Sequence, residues 1–548
     1  MSSGLNCAGP APAPAAFSMN FKRGQWRRPN EIIPIVPVRF FASRKVIIAT
    51  AAALSASWLI LVCLLAQRFA IPSGDGILYA LPLAVAKQPF DLGIPFLGNF
   101  DGYGCAWGHH WPGAMWLRGA IFSMLPYGRM ADIAVLSLCQ LLTALTAACL
   151  VWAATRKVWP VAACVILILS DRLLLLACAG NRFESISVAV VLLWFANSVT
   201  RLDQQHARWR WLARAMAWVC PTLHPYGLVL GVVILGYDWL AARSQPASVA
   251  REWRVRAGCF MLGCLAVGAW FLTQPDALRQ FSANLAVQKS FYQNWNSVVA
   301  GLANYRLGGG VILWAGGATA AGALVAGCYH DQSQVAPPLP PAIRFLAPAL
   351  FATVIGVHTV TRCENFHYLA FGAPFAAIMV CVVAAGVSGE RRSPAIVLGL
   401  LVLLHATILP YRLLQFIRAG CPDFNAEIVE VLGGIPANRA VYIPHLFWAA
   451  AANDHKHSLR WWTLPLASPR QVRQRYEHLA YAAAKPGDIL IVDNTSAAAT
   501  DRFGVLPTFP LQPPDPTLWQ RLYVRRHLCQ AAVPWGLDLT VYEFAGHP

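Results

Sequence analysis

Long apolar runs separated by short polar links fill the first three quarters of the chain. The first, "VIIATAAALSASWLILVCLLA" from Val46 to Ala66, has the length of about 20 residues that a helix needs to cross the hydrocarbon layer. Comparable runs are Ala131 to Ala154, Val158 to Cys178, Ser185 to Val199, Pro225 to Ala242 and Ala257 to Leu272. Four more follow, Val311 to Gly327, Phe345 to His358, Tyr368 to Val387 and Ala395 to Leu409, and a weaker one lies at Trp211 to Leu223. The pattern predicts a polytopic α-helical membrane protein of about 11 transmembrane helices.

Beyond Tyr411 the pattern changes. Pro, Asp, Arg and His become common and no further span is present. Here "AVYIP", "DILIVD" and "LTVYEF" read as short strands, and "SPRQVRQRYEHLAYAAAKPG" as a helix with Ser468 at its N-cap and Gly487 past its end. Residues 412–548 are therefore expected to form a small α/β domain. Residues 1–45, with "GPAPAPAA", read as a disordered leader. The membrane region runs over 46–411, and its first long link, 67–130, is expected to carry helices lying along the membrane surface, among them "MWLRGAIFSMLPYG".

Composition agrees. The chain of 548 residues is 57% hydrophobic and only 12% charged, against roughly 25% charged in soluble domains. The net charge of +18 would suit nucleic acid if it formed one exposed face. Instead the cations cluster at alternate ends of the runs. Lys22, Arg23, Arg27, Arg28, Arg39, Arg44 and Lys45 precede the first run, and Arg156 and Lys157 follow the second. Arg201, Arg208, Arg210 and Arg214 follow the fourth, Arg251, Arg254 and Arg256 precede Ala257, and Arg391 and Arg392 precede the last. With a cytoplasmic N-terminus, all of these face the cytoplasm, as the positive-inside rule requires. No nucleic-acid partner is implied. The 67–130 link and the C-terminal domain then lie outside the cytoplasmic (inner) membrane. Of 15 cysteines most sit inside apolar runs. Cys421 and Cys529 fall on the outer side, where a disulfide is permitted, but connectivity stays open.

The ionisable groups left at membrane edges each need a reason. Asp75 lies in "SGDG" after the first run, either as an ordinary turn residue or as a base. His109 and His110 in "GHHWPGAMW" are interfacial polar groups or ligands of a phosphate or metal. Arg182 and Glu184 in "NRFES" open a span and either pair with each other or line a site. His224 in "LHPYG" either starts a helix or binds a ligand. Arg362, Glu364 and His367 in "TRCENFHYL" pair mutually or join the same site. With the predicted topology all five groups lie on the outer side. One carboxylate facing cations and imidazoles suits an anionic, lipid-linked substrate.

The order of these segments resembles the membrane-embedded type C glycosyltransferases, and is most similar to bacterial relatives of the protein mannosyltransferases and lipid A aminoarabinose transferases. The likeness covers Val46 to about Tyr411. It rests on Asp75 in "SGDGILYALPLAVAKQPF", on "HHWPGAMWLRGAIFSMLPYG", on "NRFESISVAVVLLWFA", and on "LHPYGLVLGVVIL" and "HYLAFGAPFAAIM". It implies transfer of one sugar, with inversion, from a polyprenyl-phosphate donor to an acceptor outside the cytoplasmic membrane, with Asp75 in the position of the catalytic aspartate. His109, His110, Arg182, Glu184, His224, Arg362 and His367 are the implied donor-phosphate and substrate residues. A divalent cation between phosphate and carboxylate is compatible, but no residue pattern demands it. Gly76 stands where many relatives have Glu, and Trp111 interrupts the His-Pro-Pro stretch, so sugar and acceptor (lipid, polysaccharide or protein) stay open. Two other classes compete: a transporter or flippase of a lipid-linked or anionic substrate, and an inactive scaffold of an envelope assembly complex.

Overall fold

In this computed structural model the described residues are 56–60, 62, 111–125, 129–179, 182–200, 206–243, 247–273, 278, 282, 316–317, 341–360, 366–387, 396–403, 424–444, 454, 456–462, 484–493, 517–527 and 537–546. The leader, Asp75, His109, His110, Arg362, Glu364, the Val311–Gly327 run apart from Gly316 and Gly317, Cys421, Cys529 and the body of the helix expected from Ser468 lie outside them.

The apolar periodicity becomes a helical bundle. Its elements are α1 (Gly113–Met124), α2 (Arg129–Thr155), α3 (Val158–Leu169), α4 (Arg172–Ala179), α5 (Glu184–Thr200), α6 (Ala207–Leu223), α7 (Pro225–Ala242) and α8 (Ala247–Thr273). Then come α9 (Pro341–Val360), a 3₁₀ helix (Phe366–Phe371) and α10 (Ala373–Val387). Among the described residues three helices are long and apolar enough to cross a membrane, within Met130–Thr155, Pro225–Ala242 and Ala247–Thr273. The 18-residue α7 is about 27 Å long at 1.5 Å per residue, close to the hydrocarbon thickness. Four shorter apolar helices accompany them.

The run from Val158 to Cys178 departs from the expected single helix. It breaks at Ser170–Asp171 into α3 and α4, because a buried acid supplies a new cap. Asp171 Oδ1 accepts from the amides of Leu173 and Leu174, each at 3.0 Å, which satisfies two orphan donors of α4. The carbonyls exposed at the end of α3 are met by other helices. Gln140 Nε2 donates to Ile168 O at 3.2 Å, and Trp58 Nε1 donates to Leu169 O at 2.7 Å. Hydropathy alone does not see this device. The run at Tyr368 also differs at its start, being 3₁₀ up to Phe371 before Gly372 turns it into α10.

Packing brings the functional segments together. α2 lies against α3, α4, α5 and α10, while α6 lies against α1, α5, α7 and α8. The 3₁₀ helix touches α4, α5, α9 and α10. Phe195 and Phe375 meet edge to face at 5.4 Å in the core between α5 and α10.

The C-terminal part contains the three expected strands and two more. β1 (Ala440–Pro444), β2 (Ser458–Trp462), β3 (Ile489–Asp493), β4 (Trp519–His527) and β5 (Leu537–Phe544) form one sheet in the order β2-β1-β3-β5-β4. β1 runs parallel to β2 and β3, and β5 runs antiparallel to β3 and β4. Gly487, at φ 87°, takes the left-handed conformation that glycine adopts without penalty. The turn it makes is closed by the Asp488 amide to Lys485 O at 2.9 Å and leads into β3. A helix α11 (Phe424–Gly433) precedes the sheet, and its Glu427 and Glu430 both grip Arg525 of β4.

Replacing Asp171 by Ala removes the cap of α4 and is expected to lower stability in detergent by about 1–2 kcal/mol. Asp171→Asn, which keeps the acceptor oxygen, retains most of it; thermal unfolding of both variants is the measurement.

Candidate functional site

Residue 224 precedes a proline, and a residue in that position is pushed out of the helical region into extended conformation. His224 obeys, at φ −164° and ψ 147°. α6 ends there, and Pro225, whose fixed φ suits a first helical position, starts α7. The imidazole then turns back along its own chain. Nδ1 accepts the Tyr226 amide at 3.1 Å, so in the neutral ring the proton must sit on Nε2. Burial first, and the Arg182 charge second, push the imidazole pKa down to about 3. The sequence groups His224 with the cations, whereas its buried place in the structure favours the neutral ring. Of the two roles weighed for it, Nδ1 meets the helix-start role.

Four rings wall this imidazole. Phe371 lies 5.0 Å from it, Tyr368 5.1 Å, Tyr226 5.6 Å and Phe183 5.7 Å, centroid to centroid. Tyr226 in turn stacks on Phe371 at 5.2 Å. Contacts of this kind contribute about 0.5–1.5 kcal/mol each beyond burial. They come from the residue before α5, from the first turn of α7 and from the 3₁₀ helix, so the wall exists only when the bundle is assembled. All four residues lie inside the sequence motifs, yet an aromatic at a helical position usually signals core, so none of them stands out there.

Arg182 and Glu184 complete the charged part. The Arg182 amide bonds Ala177 O at 2.8 Å, and Phe183 O accepts from Ile186 and Ser187, which fixes the turn between α4 and α5. Glu184 stands in the first turn of α5, where the helix dipole favours an acid. Arg182 places Nε at 2.9 Å and Nη2 at 2.5 Å from Glu184 Oε1. Both side chains are at most 1% exposed. The pairing considered for them does form, and it forms beside His224. Among the described residues no group of three His, Cys, Asp or Glu gathers to hold a metal ion.

The structure thus joins three of the expected residues, Arg182, Glu184 and His224. His367 lies in the 3₁₀ helix whose Tyr368 and Phe371 face His224, though its own side chain is outside the described set, as are Asp75, His109, His110, Arg362 and Glu364. One buried charge pair escaped sequence reading altogether. Arg118 of α1 donates from Nε to Asp132 Oδ1 at 2.9 Å and from Nη2 to Oδ2, and neither side chain is exposed. A lone Arg inside the apolar "GAMWLRGAIF" was the available signal.

The fold is shared with a solved protein of the kind that the motif resemblance names. One match is to ArnT from Cupriavidus metallidurans, an aminoarabinose transferase whose crystal structure is of the apo state. It extends over 91% of this chain and 98% of that one, with a TM-score of 0.51 and 13% identity. No family model and no curated protein matches the chain by sequence.

Arg182→Ala would strand Glu184 as a buried unpaired charge and is expected to cost about 3–5 kcal/mol, whereas Arg182→Met with Glu184→Leu recovers most of the thermal stability. Keeping His224 neutral makes stability present above its ordinary pKa of about 6.5 and lost as pH falls from there towards about 3. At pH 5 its share of the loss is about 2 kcal/mol. Unfolding of wild type and His224→Phe compared between pH 7 and 5 reads it, the variant showing the smaller decline.

Proposed function

We propose that the protein is a membrane glycosyltransferase that moves a single sugar, with inversion, from a polyprenyl-phosphate donor to an envelope acceptor on the outer face of the cytoplasmic membrane. The observation that carries this reading is the convergence of Arg182, Glu184 and His224 in one buried, aromatic-walled cluster, in a chain that shares its fold with ArnT over nearly its full length. The acceptor is a lipid, a polysaccharide or a protein. The orientation this requires, with the N-terminus in the cytoplasm and the C-terminal sheet outside, is supported by the placement of the Arg and Lys clusters.

The chemistry needs few groups. Glycosidases use two carboxyl groups because an alkoxide must be protonated as it leaves. A polyprenyl phosphate leaves as an anion and needs only charge stabilisation. In the proposed step the acceptor oxygen attacks the anomeric carbon, its proton passes to the Asp75 carboxylate, and the bond from that carbon to the phosphate oxygen breaks. Arg182 supplies the cation of the phosphate side and Nε2 of His224 a neutral donor beside it. His109, His110, Arg362 and His367 are the further candidates for that side. Glu184 holds the Arg182 guanidinium in orientation. A neutral donor suits a phosphate that must depart, since it binds the anion without fixing it as strongly as a second full charge does.

The test is sugar transfer by the purified protein from polyprenyl-phosphate donors. Asp75→Asn is expected to lower the rate by about 10²–10⁴-fold, the usual share of general base catalysis, with the donor still bound. A variant as active as the wild type would remove Asp75 from the mechanism. Accumulation of donor across vesicles with no covalent product would overturn the reading in favour of transport.

A further inference from the structure

Helix α1 is fastened at its start and at its middle, and the fastening leads to His224. At its far side lies the Arg118–Asp132 pair, which ties the middle of α1 to the first turn of α2 with neither side chain exposed. At its near side the Trp111 indole donates to Pro221 O, a carbonyl in the last turn of α6 that has no helical partner of its own. Gly113, the first residue of α1, lies so close to the backbone oxygen and Oγ1 of Thr222 that a Cβ there would collide with both. Trp111 also meets Phe271 at 6.0 Å and Trp116 meets Trp270 at 6.3 Å, edge to face, which closes the end of α8 over the same point. Pro221 and Thr222 are three and two residues before His224.

We infer that Arg118 and Asp132 are positioning residues that act through α1 to hold the 221–224 connection, and with it the imidazole of His224, in the geometry of the site. This rests on the transferase reading above. The energetic reasoning is specific. A buried ion pair contributes little net stability relative to well-packed apolar residues of similar size, although loss of one partner is costly. What a bidentate Arg–carboxylate pair does supply is a fixed direction and spacing, because the planar fork admits one arrangement. Here that direction sets how far α1 reaches towards α6. Gly113 has no tolerance there, since its contact is with backbone as well as with the Thr222 side chain. A shift of α1 therefore moves the last turn of α6. The cap from Tyr226 to Nδ1 then loses its alignment, and Nε2 swings from its place.

The experiment separates this role from mere stabilisation. Arg118→Met with Asp132→Leu keeps volume and apolar packing, so its thermal stability is expected to stay within a few degrees of wild type. Transfer in the same preparation is expected to fall at least tenfold in kcat with little change in KM for the lipid donor. The acid limb of its pH–rate profile is expected to move up towards the ordinary imidazole value. Unchanged kcat and pH profile in this folded double variant would overturn the inference. A second readout does not need activity. Spin labels carried on ketone-bearing residues at Leu117 and Trp218, both partly exposed, report the distance between α1 and α6. One narrow distance is expected in the wild type and a broadened or shifted one in the double variant and in Gly113→Ala. A distance neither broadened nor shifted in both would sink the clamp whether or not the wild type transfers sugar. Absence of transfer by the wild type, with the distance change intact, would count against the transferase reading alone.

Discussion

The hydrogen bond from the Tyr226 amide to Nδ1 of His224 decides what the centre of this protein can do. Proline at 225 forces the preceding backbone to extend, the extended backbone lets the ring fold back, and the folded ring spends one nitrogen on the helix. The other nitrogen is then a donor, in a ring that burial keeps uncharged. Everything near it fits that state. Aromatic faces surround it, and the adjacent guanidinium is matched by its own carboxylate. A protonated imidazole in the same place would put two cations side by side with little water to screen them.

Charged groups elsewhere in the bundle are likewise paired inside the protein. Asp238 lies near the end of α7, and there its Oδ2 accepts Arg256 of α8 at 3.0 Å and the Ser198 hydroxyl of α5 at 3.1 Å. Arg214 of α6 reaches Glu252 of α8 at 2.6 Å. These pairs join α5 to α8, and the Arg118–Asp132 pair joins α1 to α2. The ion pairs add direction where apolar packing alone would let one helix slide along another.

Much of this architecture was legible in the residues, and the reasons differ by element. α7 runs over the same residues as its apolar run, Pro225 to Ala242, because a proline starts it and the hydrophobic stretch ends with it. β1 and β3 lie where "AVYIP" and "DILIVD" put them, since β-branched residues bounded by turn residues leave little choice. Arg182, Glu184 and His224 stood out because ionisable residues at membrane edges require partners. The division of α3 from α4 did not stand out. A buried cap at Asp171 leaves the hydrophobic pattern on either side intact. The ring wall around His224 and the Arg118–Asp132 pair were illegible for a related reason: their members are far apart in sequence or look like core, and only the packed helices show which of them meet.

The bond between Trp58 and Leu169 spans 111 residues of sequence. A chain that enters its membrane in order delivers the tryptophan first and the carbonyl much later. Until the third long apolar run arrives, the Leu169 carbonyl is not there to accept the indole N–H, so this bond closes only after the intervening chain is in place. Assembly order is written into a single side chain.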